Sequence, residues 1–318
     1  MQRSISLLTA LVANRHGEIF ELDGYAAIGA AGRQLVLLSE NNTSPMPHGS
    51  ELMYLPDRFP ILYNISEKEF QHLFENPHQP GEPIYPVSVF NSPGYVVSAI
   101  SAYGEREGAG FLPLFSYGAA GWYKGEFRSA VFRIDPEKRQ DLRLMPQQGV
   151  IEGIRAKRSQ MPHNRLRLHL ESCAQTYGCP AAKNFFLQRF EAPLPTAKQC
   201  NARCRGCLSR QIGSKILHSQ ERIDFTPSPE EIAEVAVTHI KSVQQAVVSF
   251  GQGCEGEPLL AVEAIAPAIR RIRQLTPKGT INLNTNGSRP AALKHLFDAG
   301  LDSSRVRLKS VREEGYNA

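Results

Sequence analysis

The stretch Ala246-Val247-Val248-Ser249-Phe250-Gly251-Gln252-Gly253 decides the fold class of the second half of this chain. A short apolar run with β-branched and aromatic residues is the pattern of a buried strand, and the glycines behind it end the strand in a turn. A helix is expected next, from about Leu259 to Leu275. The same strand–turn–helix step recurs downstream. Strand Thr280–Leu283 leads to Thr285-Asn286-Gly287, then to a helix over Ala291–Ala299 closed by Gly300, and then to a strand over Arg305–Leu308. Upstream, Ser228-Pro229-Glu230-Glu231 has a capping-box pattern with proline at the first helical position, and Ile232, Val235, Ala236 and Ile240 give that helix an apolar face. Phe185–Phe190 reads as the strand that opens the series. Repeated βα units with buried strands predict a parallel sheet or barrel, with its site at the C-terminal ends of the strands.

Before this region the pattern differs. Residues 1–155 read as a mostly β domain of short apolar stretches bounded by Gly, Pro, Asn or Ser: Tyr25–Gly29, Gln34–Leu38, Tyr85–Phe90, Tyr95–Ile100, Phe111–Phe115 and Ala130–Ile134. Leu7–Ala13 and Glu18–Leu22, joined through Asn14-Arg15-His16-Gly17, read as a β-hairpin rather than a signal peptide. Residues 156–183 are expected to connect the halves through a helix capped by Asn164, with Leu166, Leu170, Cys173 and Tyr177 on one face and Gly178 at its end. Residues 184–318 form the α/β core.

The chain has 318 residues and a net charge of +5, and its composition is that of an ordinary globular protein. No stretch is long and apolar enough to span a membrane, and a cytoplasmic protein is expected. The basic clusters Arg155, Lys157, Arg158, Arg165, Arg167 and Arg270, Arg271, Arg273 read as solvated faces, because no aromatic RNA-binding pattern accompanies them. A nucleic-acid partner is therefore not indicated.

The cysteines carry the chemistry. Cys200-Asn201-Ala202-Arg203-Cys204-Arg205-Gly206-Cys207 has the spacing C-x3-C-x2-C, while Cys173, Cys179 and Cys254 stand apart. Three thiolates on one loop can meet three irons of a cubane cluster. Ordinary four-iron clusters take four cysteines, so three leave one iron open to a ligand. Arg203 and Arg205 lie beside the thiolates in sequence and can offset the cluster's charge. Another reading makes Cys200, Cys204, Cys207 and Cys254 a closed zinc site in a structural or interaction module. For Cys254 a small packed side chain is the leading reading, ahead of a fourth metal ligand or a substrate-facing thiol, and Cys173 reads as a buried structural thiol.

This loop, following a strand at the head of a βα series, resembles the radical S-adenosylmethionine (SAM) superfamily. Gly256-Glu257-Pro258 after the second strand resembles that family's Gly-Gly-Glu-Pro motif, and Asn284-Thr285-Asn286-Gly287 resembles its Thr-Asn-Gly ending. The resemblance implies a partial (β/α) barrel, about four βα units of which are counted here against the usual six. It also implies a [4Fe-4S] cluster on Cys200, Cys204 and Cys207, with SAM as cosubstrate. Reductive cleavage of SAM would then give a 5′-deoxyadenosyl radical that acts on an unknown substrate. The implied SAM contacts are Gly256, Glu257, Asn284, Asn286 and, after the fourth strand, Ser310, with flavodoxin or ferredoxin as the reductant. No residue is assigned to catalysis on the substrate. Because the chain stops at Ala318, just after the start of what reads as another helix, a shortened barrel is expected, and with it the alternative of a degenerate fold that keeps the cluster without turnover.

Overall fold

The computed structural model describes residues 6–308 except 114, 205, 212 and 214–216, and residue 312 beyond them. The chain divides into two compact units, Met1–Leu144 and Met145–Ala318. Residue 155 lies inside a helix of the second unit.

The first unit is mostly β, and its paired strands run antiparallel. Thr9–Ala13 pairs with Ile19–Ala26 across a turn in which the Asn14 side chain accepts the amides of His16 and Glu18 at 2.9 and 3.1 Å. The same strand also pairs with Tyr85–Phe90 and Gly118–Tyr123. Its alternate residues feed two separate cores, as the pleat requires. Ala10 and Val12 pack with Leu22, Tyr25, Leu62 and Ile84, whereas Leu11 and Ala13 pack with Val87, Val89 and Ala120. The strand expected over Phe111–Phe115 is not formed by the described residues there. Phe111 is 86% exposed, so that run has no buried face to pay for its ordering.

The second unit opens with three helices, α1 (Gln147–Gln160), α2 (Arg165–Gln175) and α3 (Pro180–Phe186). Asn164 caps α2 by accepting the Arg167 amide at 2.9 Å. Helix α3 corrects the strand expected at Phe185–Phe190. Pro180, with its fixed φ, starts a helix, and both Phe185 and Phe186 are buried in its last turn. Gln188 and Phe190 then take φ of 52°, which breaks the backbone before the strand begins at Glu191. A run of apolar aromatics has high strand propensity, but the core that receives them here lies against a helix.

Strands β1 (Glu191–Pro193), β2 (Val247–Phe250), β3 (Thr280–Thr285) and β4 (Ser303–Val306) follow, in that spatial order and all parallel. The fourth strand begins two residues earlier than expected. Helices α4 (Pro229–Ser242), α5 (Val262–Leu275) and α6 (Pro290–Asp298) alternate with the strands. The Ser228 capping box of α4 is formed, with Glu231 N donating to Ser228 Oγ at 3.2 Å and Ser228 N to the Glu231 carboxylate at 2.8 Å. One core joins Ile232, Val235 and Ile240 of α4, Ile265, Ile269 and Ile272 of α5, and Val248, Phe250, Ile281 and Leu283 of the sheet. The unit is thus α/β, and its helices cover one face of a parallel sheet.

Of the basic residues singled out by sequence, Arg155, Arg158, Arg165, Arg270 and Arg271 are exposed as expected, whereas Lys157 and Arg167 are buried and Arg273 is half-buried. Lys157 is buried with its ammonium over the Phe185 ring, Arg158 and Arg167 both bind Glu171, and Arg165 binds Glu231 at 2.7 Å. Arg273 holds Asp302 and the carbonyls of Lys278, Gly279 and Gly300. These cations brace their own fold.

Candidate functional site

Three loops at the C-terminal ends of β1, β2 and β3 carry the residues singled out by sequence. The loop after β1 leads to Cys200, Cys204 and Cys207, all half-buried free thiols. The loop after β2 carries Gly256 and Glu257, and β3 ends in Asn284-Thr285-Asn286-Gly287. Parallel strands bring these ends to one edge, and hydrogen bonds then join the loops to one another.

The Gly-Glu-Pro segment docks on the chain just before Cys200. The amide of Gly256 donates to the Ala197 carbonyl at 2.5 Å, and that of Glu257 to the Gln199 carbonyl at 2.9 Å. A Cβ on Gly256 would stand 1.9 Å from the Gln199 oxygen. Glycine is therefore required here by the cysteine loop's own backbone. Sequence reasoning had reserved that space for a ligand.

Glu257 is buried and ties the second loop to the third. Its Oε1 accepts the Leu259 amide at 3.1 Å and the Thr285 hydroxyl, and its Oε2 accepts the Asn286 amide at 2.8 Å. An ionised carboxylate has about four acceptor positions, so one remains. Asn286 then reaches the cysteine loop, its Nδ2 donating to Asn201 Oδ1 at 2.9 Å, while Asn201 Nδ2 donates to Ser288 Oγ at 2.8 Å. Asn284 spends its amide on the Phe250 and Gly251 carbonyls and serves mainly to hold β3 against the end of β2. Ser310 lies outside the described residues, as does Arg205.

Two residues that sequence reasoning missed complete the site. Glu255 is buried, and its carboxylate accepts four backbone amides, Thr196 and Ala197 on one oxygen (both 2.8 Å), Gly251 and Gln252 on the other (both 2.7 Å). Burial pushes its carboxyl up to about 7 against the pull of those four donors. All its acceptor positions are used, so Glu255 is a bracket between the first two loops. A glutamate between Cys254 and Gly256, one position before the motif, was its only signal.

The second is Arg222. Arg203 is exposed, and among the described residues the cation beside the thiols is Arg222, whose Nη2 donates to Cys207 Sγ at 3.8 Å and whose Nε donates to Ser209 Oγ at 3.2 Å. It arrives because residues 219–220 fold back on the loop, their amides donating to the Leu208 carbonyl at 3.0 and 3.1 Å. Nothing local in the sequence announces that return. Around Cys200, burial pushes the thiol up and the Glu257 and Cys204 charges add to this, while the Ala202 amide and Arg222 oppose it. Gly206, the residue before the third cysteine, has open space around its Cα.

The sheet face opposite the helices is polar where it nears these loops. Asn282 Nδ2 donates to Ser249 Oγ at 3.3 Å, and Ser303 Oγ donates to Asn282 Oδ1 at 2.9 Å, a ladder across β2, β3 and β4. Such a face is suited to a polar ligand rather than to another apolar layer.

Cys254 is elsewhere. Its thiol lies with Cys173 Sγ and the His169 ring, all three ligand atoms within 4.8 Å of one another. It belongs to that group and not with Cys200, Cys204 and Cys207 in the zinc set considered from sequence.

The donor set of the cysteine loop suits an iron–sulfur cluster: three thiols outside any disulfide on one short loop, an arginine beside Cys207, and a buried carboxylate with one acceptor position left on the adjoining loop. No curated protein sequence matches the chain. The family model described as the Radical SAM superfamily matches residues 194–318, which contain every one of these loop residues. The second unit of this chain carries a domain of the radical SAM superfamily.

Proposed function

We propose that Cys200, Cys204 and Cys207 hold a [4Fe-4S] cluster, that SAM binds beside it, and that the chain is a radical SAM enzyme. When bound, the cluster supplies the electron that cleaves the sulfonium of SAM, giving methionine and a 5′-deoxyadenosyl radical for hydrogen abstraction. The observation that carries this reading is Glu257. It is buried between the cysteine loop and the Asn286 loop, with three of its acceptor positions filled by protein and one left.

The chain's own residues then have separable tasks. Glu257 would accept a hydrogen bond from the amino group of SAM, the charged N–H donor of that molecule. Asn286 and Asn201 keep the third loop and the cysteine loop at a fixed separation. Arg222 offsets negative charge at Cys207. The Ser249–Asn282–Ser303 ladder lines the inner face of what we read as a partial barrel, and Ser310 is the proposed ribose contact. Flavodoxin or ferredoxin is the proposed electron donor, in the reducing cytoplasm.

Anaerobic reconstitution tests the proposal. The full chain is expected to take up about four irons and four sulfides at this loop, and the dithionite-reduced protein to release 5′-deoxyadenosine from SAM. Cys204→Ala abolishes both. A chain that takes up no iron, or takes it up and releases no 5′-deoxyadenosine, overturns the reading.

A further inference from the structure

Outside the cluster loop, the second unit gathers another set of soft ligands. His169 and Cys173 sit one helical turn apart on α2, so both side chains leave the same face. The loop after β2 brings Cys254 to them. His169 Nε2 and Cys173 Sγ are 3.5 Å apart, and the three ligand atoms lie within 4.8 Å of one another. The amide of Cys179 donates to the Cys173 carbonyl at 3.0 Å and fixes the end of α2 beside this group, while its thiol stays outside the group.

We propose that His169, Cys173 and Cys254 bind a zinc-class divalent cation distinct from the cluster. A buried cysteine is ordinarily a small apolar side chain. That reading accounts for one thiol against the core, but not for two thiols and an imidazole nitrogen converging from a helix and a loop. Tetrahedral zinc bonded at about 2.0–2.3 Å separates its ligand atoms by about 3.5–3.8 Å. The group therefore needs to close by less than a bond length. Imidazole and thiolate are the donors that zinc prefers. The His169 ring is already steered by the edge-on Phe225 ring, 6.4 Å away at 84°.

The site has a structural consequence. Cys254 is followed directly by Glu255, Gly256 and Glu257, and its carbonyl accepts the Ile223 amide at 2.8 Å, one residue from Arg222. A cation here clamps α2 to the loop that carries Glu255 and Glu257. The inference stands on its own geometry and does not depend on the cluster reading.

The test uses the full chain carrying Cys200→Ala, Cys204→Ala and Cys207→Ala, which removes the cluster loop's thiols. Expressed with zinc, it should retain about one equivalent of zinc per chain. Replacing the zinc with cobalt should give the intense thiolate-to-metal bands of a sulfur-rich tetrahedral site. Cys173→Ser or Cys254→Ser in that background should remove the metal, and His169→Gln should weaken binding by more than the about tenfold that loss of a ligand's outer-shell partner costs. Circular dichroism of each variant checks that it is folded. A folded triple-alanine chain with no zinc overturns the proposal, as does a Cys173–Cys254 disulfide found by mass spectrometry in protein isolated with zinc present. Retention of full zinc by folded Cys173→Ser and Cys254→Ser chains also overturns it.

Discussion

Two adjacent glutamates show how hydrogen-bond accounting separates a bracket from a ligand contact. Glu255 gives all of its acceptor positions to four amides of its own chain, whereas Glu257 gives three and keeps one. Glu255→Gln turns an NH2 group toward two amide donors in a buried place. It should cost about 2–3 kcal/mol of stability, the penalty for leaving buried donors unmade, read as a lower urea midpoint. Glu257→Gln should behave differently. Its iron content is expected to stay at the wild-type level, while SAM binding weakens at least about tenfold with the loss of a charge-assisted hydrogen bond. Equilibrium binding to the reconstituted protein checks this, and unchanged SAM affinity would remove Glu257 from the SAM site.

Among the elements, α4 joins stability to pH. His239 is fully buried on it beside the Phe185 ring, at 6.0 Å between centroids. Burial drives its pKa down to about 4, with the Lys157 charge acting the same way and the Phe190 carbonyl opposing. The folded value lies below the unfolded value of 6.5, so the unfolded chain binds the extra proton between them. Stability from this residue is complete above pH 6.5 and is lost as the pH falls toward 4, by about 3 kcal/mol. His239→Leu should flatten the fall in unfolding free energy across that window, measured by urea titration at a series of pH values. Helix α4 was also the most legible element, because Ser228, Pro229 and Glu231 state its start chemically and its apolar spacing states its face. Strand β1 was the least. Phe185 and Phe186 have strand propensity, but tertiary packing placed them in a helix, and three residues at Glu191–Pro193 are too few to show a period. The site followed the same division. Cys200, Cys204, Cys207, Glu257 and Asn286 could be named as candidates because their spacing is local, whereas the approach of Arg222 to Cys207 and of Cys254 to His169 and Cys173 depends on returns of the chain that no local pattern encodes. Gly256 was legible as a glycine, though the backbone it must admit is that of Gln199.

At the scale of the whole molecule the two units carry different spectroscopic reporters, which allows their independence to be measured. The one tryptophan, Trp122, lies in the first unit, its ring edge-on to Phe127 at 4.6 Å. Among the described residues every α-helix lies in the second unit. Tryptophan emission therefore follows the unfolding of the first unit, while the far-ultraviolet helical signal follows the second. Gly251 provides the perturbation. It sits at φ of 79°, and a Cβ there would stand 1.8 Å from the Asn284 carbonyl oxygen, so Gly251→Ala strains the backbone and forces β3 away from the end of β2. The left-handed conformation alone costs about 1–2 kcal/mol for alanine, and the forced packing adds about 1–3 kcal/mol. In a urea titration of Gly251→Ala, the helical transition should move to lower denaturant while the Trp122 transition stays within error of wild type. Each unit has its own core, and a core is what sustains cooperative unfolding. If both transitions shift together, the strain in the radical SAM domain is felt by the β unit, and the two unfold as one.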